Sequence, residues 1–146
     1  MKILHPTDFS ECAEQARTHA IELARVMDAE VVLFHVSVET PLYTESLTSM
    51  REVQQVYDAQ RKWAEETLEA RAAEMRGTGV ATRWEIAGGV PFQEIVKAAE
   101  REKADLIVMG THGRHGLERL LLGSVATRVV RTASCPVLTV REKREK

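Results

Sequence analysis

The stretch ADLIVMGTHGRHGLERLLLGSVATRVV, Ala104 to Val130, gathers groups that hold anions. Gly110, Gly113 and Gly116 follow an apolar run ending at Met109, and Gly123-Ser124 precede a helical pattern. Glycine lets backbone approach a ligand closely. A helix N-terminus presents unpaired N–H groups and a partial positive charge, which together attract phosphate. Ser124 can add a hydroxyl donor. His112, Arg114, His115 and Arg119 place cationic or proton-donating groups nearby, opposed only by Glu118. The same residues have plainer uses. Gly123-Ser124 can be a turn and a helix cap, and the arginines can be solvated.

A second reactive stretch is HPTDFSE, His5 to Glu11. Asp8 could face a ribose hydroxyl or a metal on a polyphosphate. It could equally cap the following helix, as could Ser10, and Asp8 with Glu11 fits a variant capping box. The loop alone favours the cap. It lacks the glycines of a dinucleotide fingerprint, and no lysine precedes Ser124 as a Walker A loop requires. His112 and His115 form an HxxH, but no further Cys or His cluster completes a zinc site. No GxSxG or HExxH is present. His5 and His35 sit at strand ends and read as packed or capping residues.

The 146 residues suit one domain, and a hydrophobic share of 44% is enough for its core. A formal net charge of −2 argues against a general nucleic-acid binder, which would carry a basic excess. The first residues, MKILHPTDFSE, do not form a signal peptide. No apolar run approaches the roughly 18 residues that span a bilayer. Cys12 and Cys135 form no CxxC and read as free thiols of a reducing cytoplasm. The alternative is a redox or inter-subunit role for Cys135.

The elements that must position these groups follow from periodicity. Lys2 to His5 reads as a buried strand. Ala13, Ala16, Ala20, Leu23, Ala24 and Met27 mark one face of a helix from about Ser10 to Asp28. EVVLFHVSV is a second buried strand, and ETPLYTESLTS a polar connector. A helix from Met50 to about Arg76 carries Val53, Val56, Trp63, Ala64, Leu68, Ala72 and Met75 as its apolar stripe, with Gly77 and Gly79 ending it. VATRWEIAG alternates as a more exposed strand would. Pro91 can open a third helix, with Phe92, Ile95, Val96 and Ala99 on its buried face. DLIVM is a fourth strand. Val125, Val129 and Val130 mark a fourth helix, and CPVLTV is the last strand before a solvated tail.

Strict β-α alternation implies a doubly wound parallel sheet with helices on both faces. Ligands in such folds sit beyond the carboxyl ends of the strands, where strand order reverses. The loops beginning at Pro6, near His35-Val36, at Gly88-Gly89 and at Gly110 are therefore the ones to inspect.

Taken together, PTDFSE, HV closing the second strand, ADLIVMGTHG and CPVLTV, in that order, resemble the universal stress protein family over nearly the whole chain. The most specific match is Gly-x2-Gly-x9-Gly-Ser, here Gly110, Gly113 and Gly123-Ser124. In that family the pattern marks members that bind ATP. The resemblance implies a five-stranded sheet of order 3-2-1-4-5, the adenine nucleotide alpha hydrolase-like fold. It implies a domain over residues 1–141 with 142–146 as a charged tail. It places Pro6, Thr7 and Asp8 by the nucleoside, Val36 at adenine through backbone groups, and Met109 and Gly110 at the ribose. Gly113, Gly123, Ser124 and Val125 would hold the phosphates, with His112 and Arg114 nearby and Mg accompanying them. Ala126 stands where some members have a hydroxyl residue, so one polar contact is missing. Asp8 would then serve both as a cap and as a ligand contact.

A cytoplasmic homodimer, paired through residues 135–140 and acting as an ATP-binding regulatory stress-response module, is the implied function. The sequence offers no clear general base. If hydrolysis occurs, His112, or Asp8 through a metal, would carry it. The rival readings are a slow ATP hydrolase or nucleotidyl-transfer enzyme on the same fold, and a nucleotide-independent interaction protein.

Overall fold

A computed structural model of the chain describes residues 1–38, 49–113 and 122–143. The elements are β1 (Lys2–Pro6), α1 (Glu11–Met27), β2 (Glu30–Ser37), α2 (Met50–Gly77), β3 (Thr82–Gly88), α3 (Pro91–Glu102), β4 (Leu106–Gly110), α4 (Ser124–Thr132) and β5 (Val137–Val140). The strands form one sheet in the order β3-β2-β1-β4-β5. Every pairing is parallel. The doubly wound architecture expected from the alternation is therefore the one observed.

Alternation along the strands sorts side chains between two buried faces. Ile3, Val31 and Val108 pack with Ala16, Ala20 and Ala24 of α1 and Met75 of α2. Leu33 joins Leu68 and Ala72 of α2 on the same side. Leu4, Val32, Phe34, Ile107 and Met109 face Ile95, Ala98 and Ala99 of α3 and Ala126 and Val129 of α4. A sheet covered on both sides explains why β1, β2 and β4 read as continuous apolar runs. The alanines of α1 present almost no side-chain bulk, which suits a helix seated against the sheet centre.

Local chemistry sets the helix ends. Ser10 caps α1, its Oγ accepting from the Ala13 amide at 3.2 Å, and Ser49 caps α2 on the Glu52 amide at 3.2 Å. Pro91 occupies the first turn of α3. α1 and α3 end on non-glycine residues in the left-handed region, Asp28 at φ 50° and Lys103 at φ 52°. α1 and α2 are joined by Glu14, which accepts from Arg17 and from Arg71 at 2.9 Å. At the β3 edge, Arg83 bridges Glu30, Glu85 and Glu102.

Gly77 is the last residue of α2 and Gly79, at φ +89°, makes the turn after it, so the two glycines end the helix as expected. Two expectations change. Trp63 is 51% exposed, so the buried stripe of α2 begins at Ala64. Val130 is 48% exposed, and Ala126 with Val129 forms the buried face of α4. The connector at 39–48 and the end of the tail at 144–146 lie outside the described residues.

Candidate functional site

The carboxyl ends of β1, β2 and β4 and the start of α4 surround a cavity of about 1320 Å³. It lies where β1 separates the two directions of strand order, the place the topology assigns to a ligand. Pro6, Thr7, Asp8, Val36, Met109, Gly110, His112, Gly113, Gly123, Ser124 and Val125 all line it. Arg114 lies outside the described residues, as do His115, Gly116 and Arg119.

The loop after β1 is wound tightly on its own polar groups. The Thr7 amide donates to Phe34 O at 2.8 Å, tying the loop to β2. Thr7 Oγ1 accepts from the Phe9 amide at 3.1 Å, and Asp8 Oδ1 accepts from the Ser10 amide at 3.0 Å. Asp8 therefore shapes the turn, while Ser10 is the cap; the Asp8–Glu11 capping box is not formed. Phe9 takes φ +64°, a region costly for a residue with a side chain. Its ring packs 4.6 Å from His35 and edge-on to Trp63 at 5.1 Å. His35 Nδ1 stands 2.8 Å from Thr7 O, and since a carbonyl only accepts, that nitrogen carries the proton.

His5 lies beneath this loop, fully buried, with Nδ1–H donating to Val108 O at 2.8 Å. Its Nε2 is buried without a partner among the described residues. Burial lowers its pKa to about 4, against the smaller opposing effect of the Val108 bond. It is a neutral packed residue that bridges β1 and β4, as its place at a strand end suggests.

The glycines differ most from their sequence reading. A Cβ at Gly110 would stand 2.8 Å from Cys12 Sγ, and one at Gly113 2.7 Å from Asp8 Oδ2. A Cβ at Gly123 would stand 2.9 Å from Thr111 O. All three glycines first let segments of the protein meet one another. Gly110 seats β4 on α1, Gly113 brings its loop onto Asp8, and Gly123 seats α4 on Thr111. The Gly123 amide donates to Thr111 O at 2.6 Å. Gly123, with no side-chain hydrogen bond, is the N-cap of α4, and Ser124 is its first residue. Ser124 is thus not the cap, and its hydroxyl is not used in capping.

α4 has no acidic residue in its first turn. Its first intrahelical bond is Thr127 N to Gly123 O, 2.9 Å. The amides of Ser124, Val125 and Ala126 precede that bond and have no acceptor within the helix. They form a donor set beside the cavity, with Asp8 as a carboxylate across from Gly113. Among the described residues, no three His, Cys, Asp or Glu come together to hold a metal. The cysteines are free, Cys12 buried and Cys135 partly so, with burial raising the Cys135 thiol pKa.

Two groups of lining residues were not singled out as site residues in the sequence. Glu52, Gln55, Val56, Gln60 and Trp63 reach the cavity from the first half of α2. Their spacing of three and four was the available signal, but it marks a buried stripe equally well. Thr111 also lines the cavity, and its only mark was its place between Gly110 and His112.

The fold and the position of its cavity define a doubly wound parallel α/β protein with an open cavity at its topological switch point. The chain belongs to the universal stress protein family, whose profile matches residues 1–141. It is similar to universal stress protein MJ0531 of Methanocaldococcus jannaschii, 41% identical over 144 residues, covering 99% of this chain and 84% of the relative. It is also similar to universal stress protein MJ0577 of the same organism, 36% identical over 97% of this chain and 95% of the relative. The solved structure of MJ0577 matches with a TM-score of 0.85 at 35% identity, covering 99% of this chain and 97% of that one. A universal stress protein of Archaeoglobus fulgidus in complex with dAMP matches with a TM-score of 0.66 at 25% identity, covering 96% and 97%. Among the described residues, no helix is long and apolar enough to cross a membrane.

Proposed function

We propose that the cavity binds an adenine nucleotide, ATP with Mg, and that the protein is a nucleotide-dependent regulatory module. One observation carries this reading. The amides of Ser124, Val125 and Ala126, which have no acceptor within their helix, the Gly113 loop and the Asp8 carboxylate all meet at one cavity, at the switch point of the sheet. Amides at a helix start, a serine hydroxyl and a single carboxylate are a donor set suited to a polyphosphate and its cation. His112, whose Nε2 is buried without a partner among the described residues, fits the same ligand. The dAMP complex of the Archaeoglobus fulgidus relative supports an adenine base.

In this reading Val36 meets adenine through its backbone, and Pro6, Thr7, Met109 and Gly110 border the nucleoside. Gly113, Gly123, Ser124 and Val125 hold the phosphates, and Arg114 belongs with them. Mg would neutralise phosphate charge beside Asp8. The protein would act in the cytoplasm as a homodimer paired through β5, an edge strand with Leu138 38% exposed.

Mass spectrometry of ligand released from purified protein, with titration of ATP, AMP, cyclic AMP and GTP with and without Mg, tests the reading. ATP should be retained and its affinity should depend on Mg. No retention of any adenine nucleotide at millimolar concentration would overturn it in favour of an interaction protein. Steady phosphate release, lost in His112→Ala and Asp8→Ala while binding persists, would instead make the protein a slow hydrolase.

A further inference from the structure

Thr111 joins four parts of the molecule. It is 2% exposed. Its amide donates to Val140 O at the end of β5, 2.9 Å, and its carbonyl accepts from the Gly123 amide at the cap of α4, 2.6 Å. Its hydroxyl stands 2.8 Å from His112 Nδ1 and 3.9 Å from Cys12 Sγ of α1. Cys12 Sγ in turn donates to Val140 O at 3.3 Å.

Chemistry fixes the Cys12 proton, and the distances favour a place for the Thr111 proton. The Val140 carbonyl only accepts, so the Cys12 hydrogen points to it. The Thr111 hydroxyl can then donate to an imidazole nitrogen at 2.8 Å or to a sulfur at 3.9 Å. The nitrogen is the nearer and the stronger acceptor. With the hydroxyl donating to Nδ1, the neutral His112 ring carries its proton on Nε2. That atom is buried without a partner among the described residues, and His112 lines the cavity. An N–H there complements a phosphate oxygen, whereas a bare lone pair would repel it.

We infer that Thr111 is a positioning residue of the phosphate site, its hydroxyl fixing His112 as an Nε2–H donor and its carbonyl holding the α4 cap against the His112 loop. The inference rests on the nucleotide reading above. It adds a residue that touches no phosphate itself but sets two groups that do.

The test combines histidine-ring 15N NMR on nucleotide-free protein with titrations of Mg·ATP and of adenosine. Wild type and Thr111→Ser should show the proton on Nε2 of His112, and Thr111→Val should show a mixture of tautomers. The ATP dissociation constant should rise about tenfold in Thr111→Val, the usual consequence of losing one hydrogen bond to a charged group. Adenosine affinity should stay unchanged, and Thr111→Ser should restore ATP binding. A proton on Nδ1 in wild type overturns the inference, and needs no variant if Thr111→Val does not fold. An unchanged ring pattern in the folded valine variant also overturns it, as do equal losses for ATP and adenosine. Wild type that binds ATP but fails the ring test sinks this inference alone. Wild type that binds no ATP sinks the nucleotide reading as well.

Discussion

Gly123→Ala puts the smallest possible side chain where two backbone segments meet. The new Cβ would stand 2.9 Å from Thr111 O and 3.6 Å from His112 Cα. Nonbonded heavy atoms settle at roughly 3.5 Å or beyond, so the segments must part by about half an ångström. The neighbour is a backbone carbonyl and cannot swing aside as a side-chain tip would. The same movement stretches the 2.6 Å bond from the Gly123 amide to Thr111 O. Overpacking of this kind costs about 1–3 kcal/mol. For a chain of this size that lowers Tm by about 3–10 °C. It also carries the Ser124, Val125 and Ala126 amides away from the His112 loop, so ATP affinity should fall on the order of tenfold while adenosine affinity holds. Gly77→Ala is the control. Gly77 closes α2 with nothing within 4 Å of its added Cβ, and should gain up to about 1 kcal/mol. Scanning calorimetry and ATP titration read both variants. If Gly123→Ala melts within about a degree of wild type and binds ATP equally, the close contact of α4 with Thr111 does not set the site.

Other outcomes follow from single groups. His5 has a folded pKa of about 4 against an ordinary 6.5, so the unfolded chain takes up a proton that the folded one refuses. Its contribution is complete above pH 6.5 and is lost as pH falls toward 4, by about 3 kcal/mol in total; urea unfolding across that window should show the slope, and His5→Phe should flatten it. Asp8→Asn keeps an acceptor for the Ser10 amide but removes the charge, so ATP affinity should drop several-fold with Mg and little without it, as titration calorimetry would show. Leu138→Lys on the edge strand should shift sedimentation from dimer to monomer, and a wild type that is already monomeric refutes the β5 pairing.

The alternation of strands and helices was legible because each has its own period and each buries a face. Strand order was not; local periodicity carries no information about which parallel strands are neighbours, and the family resemblance supplied it. Gly123 and Ser124 could each have been the cap of α4, since both residue types suit that position. The contact of Gly123 with Thr111 O decides it, and that contact is long-range. The first half of α2 was read as core because Val56 and Trp63 recur at helical spacing, and the same spacing serves a helix that borders a cavity. Thr111 was illegible for a different reason. Apart from the adjacent His112, its partners Cys12, Gly123 and Val140 are scattered along the chain, and only the fold collects them.

Asp28 and Lys103 end α1 and α3 in left-handed conformations that favour glycine. Both lead into strands, β2 and β4, at the amino-terminal rim of the sheet, while the cavity opens at the carboxyl rim. Strands of five to eight residues separate the rims by roughly 17–27 Å. Each residue holds about 1 kcal/mol of conformational cost that glycine would release. Asp28→Gly and Lys103→Gly should therefore raise Tm and leave ATP affinity unchanged. At these two positions heat tolerance can drift without ligand affinity, because they occupy the rim opposite the cavity, whereas Gly123, beside the cavity, tunes both.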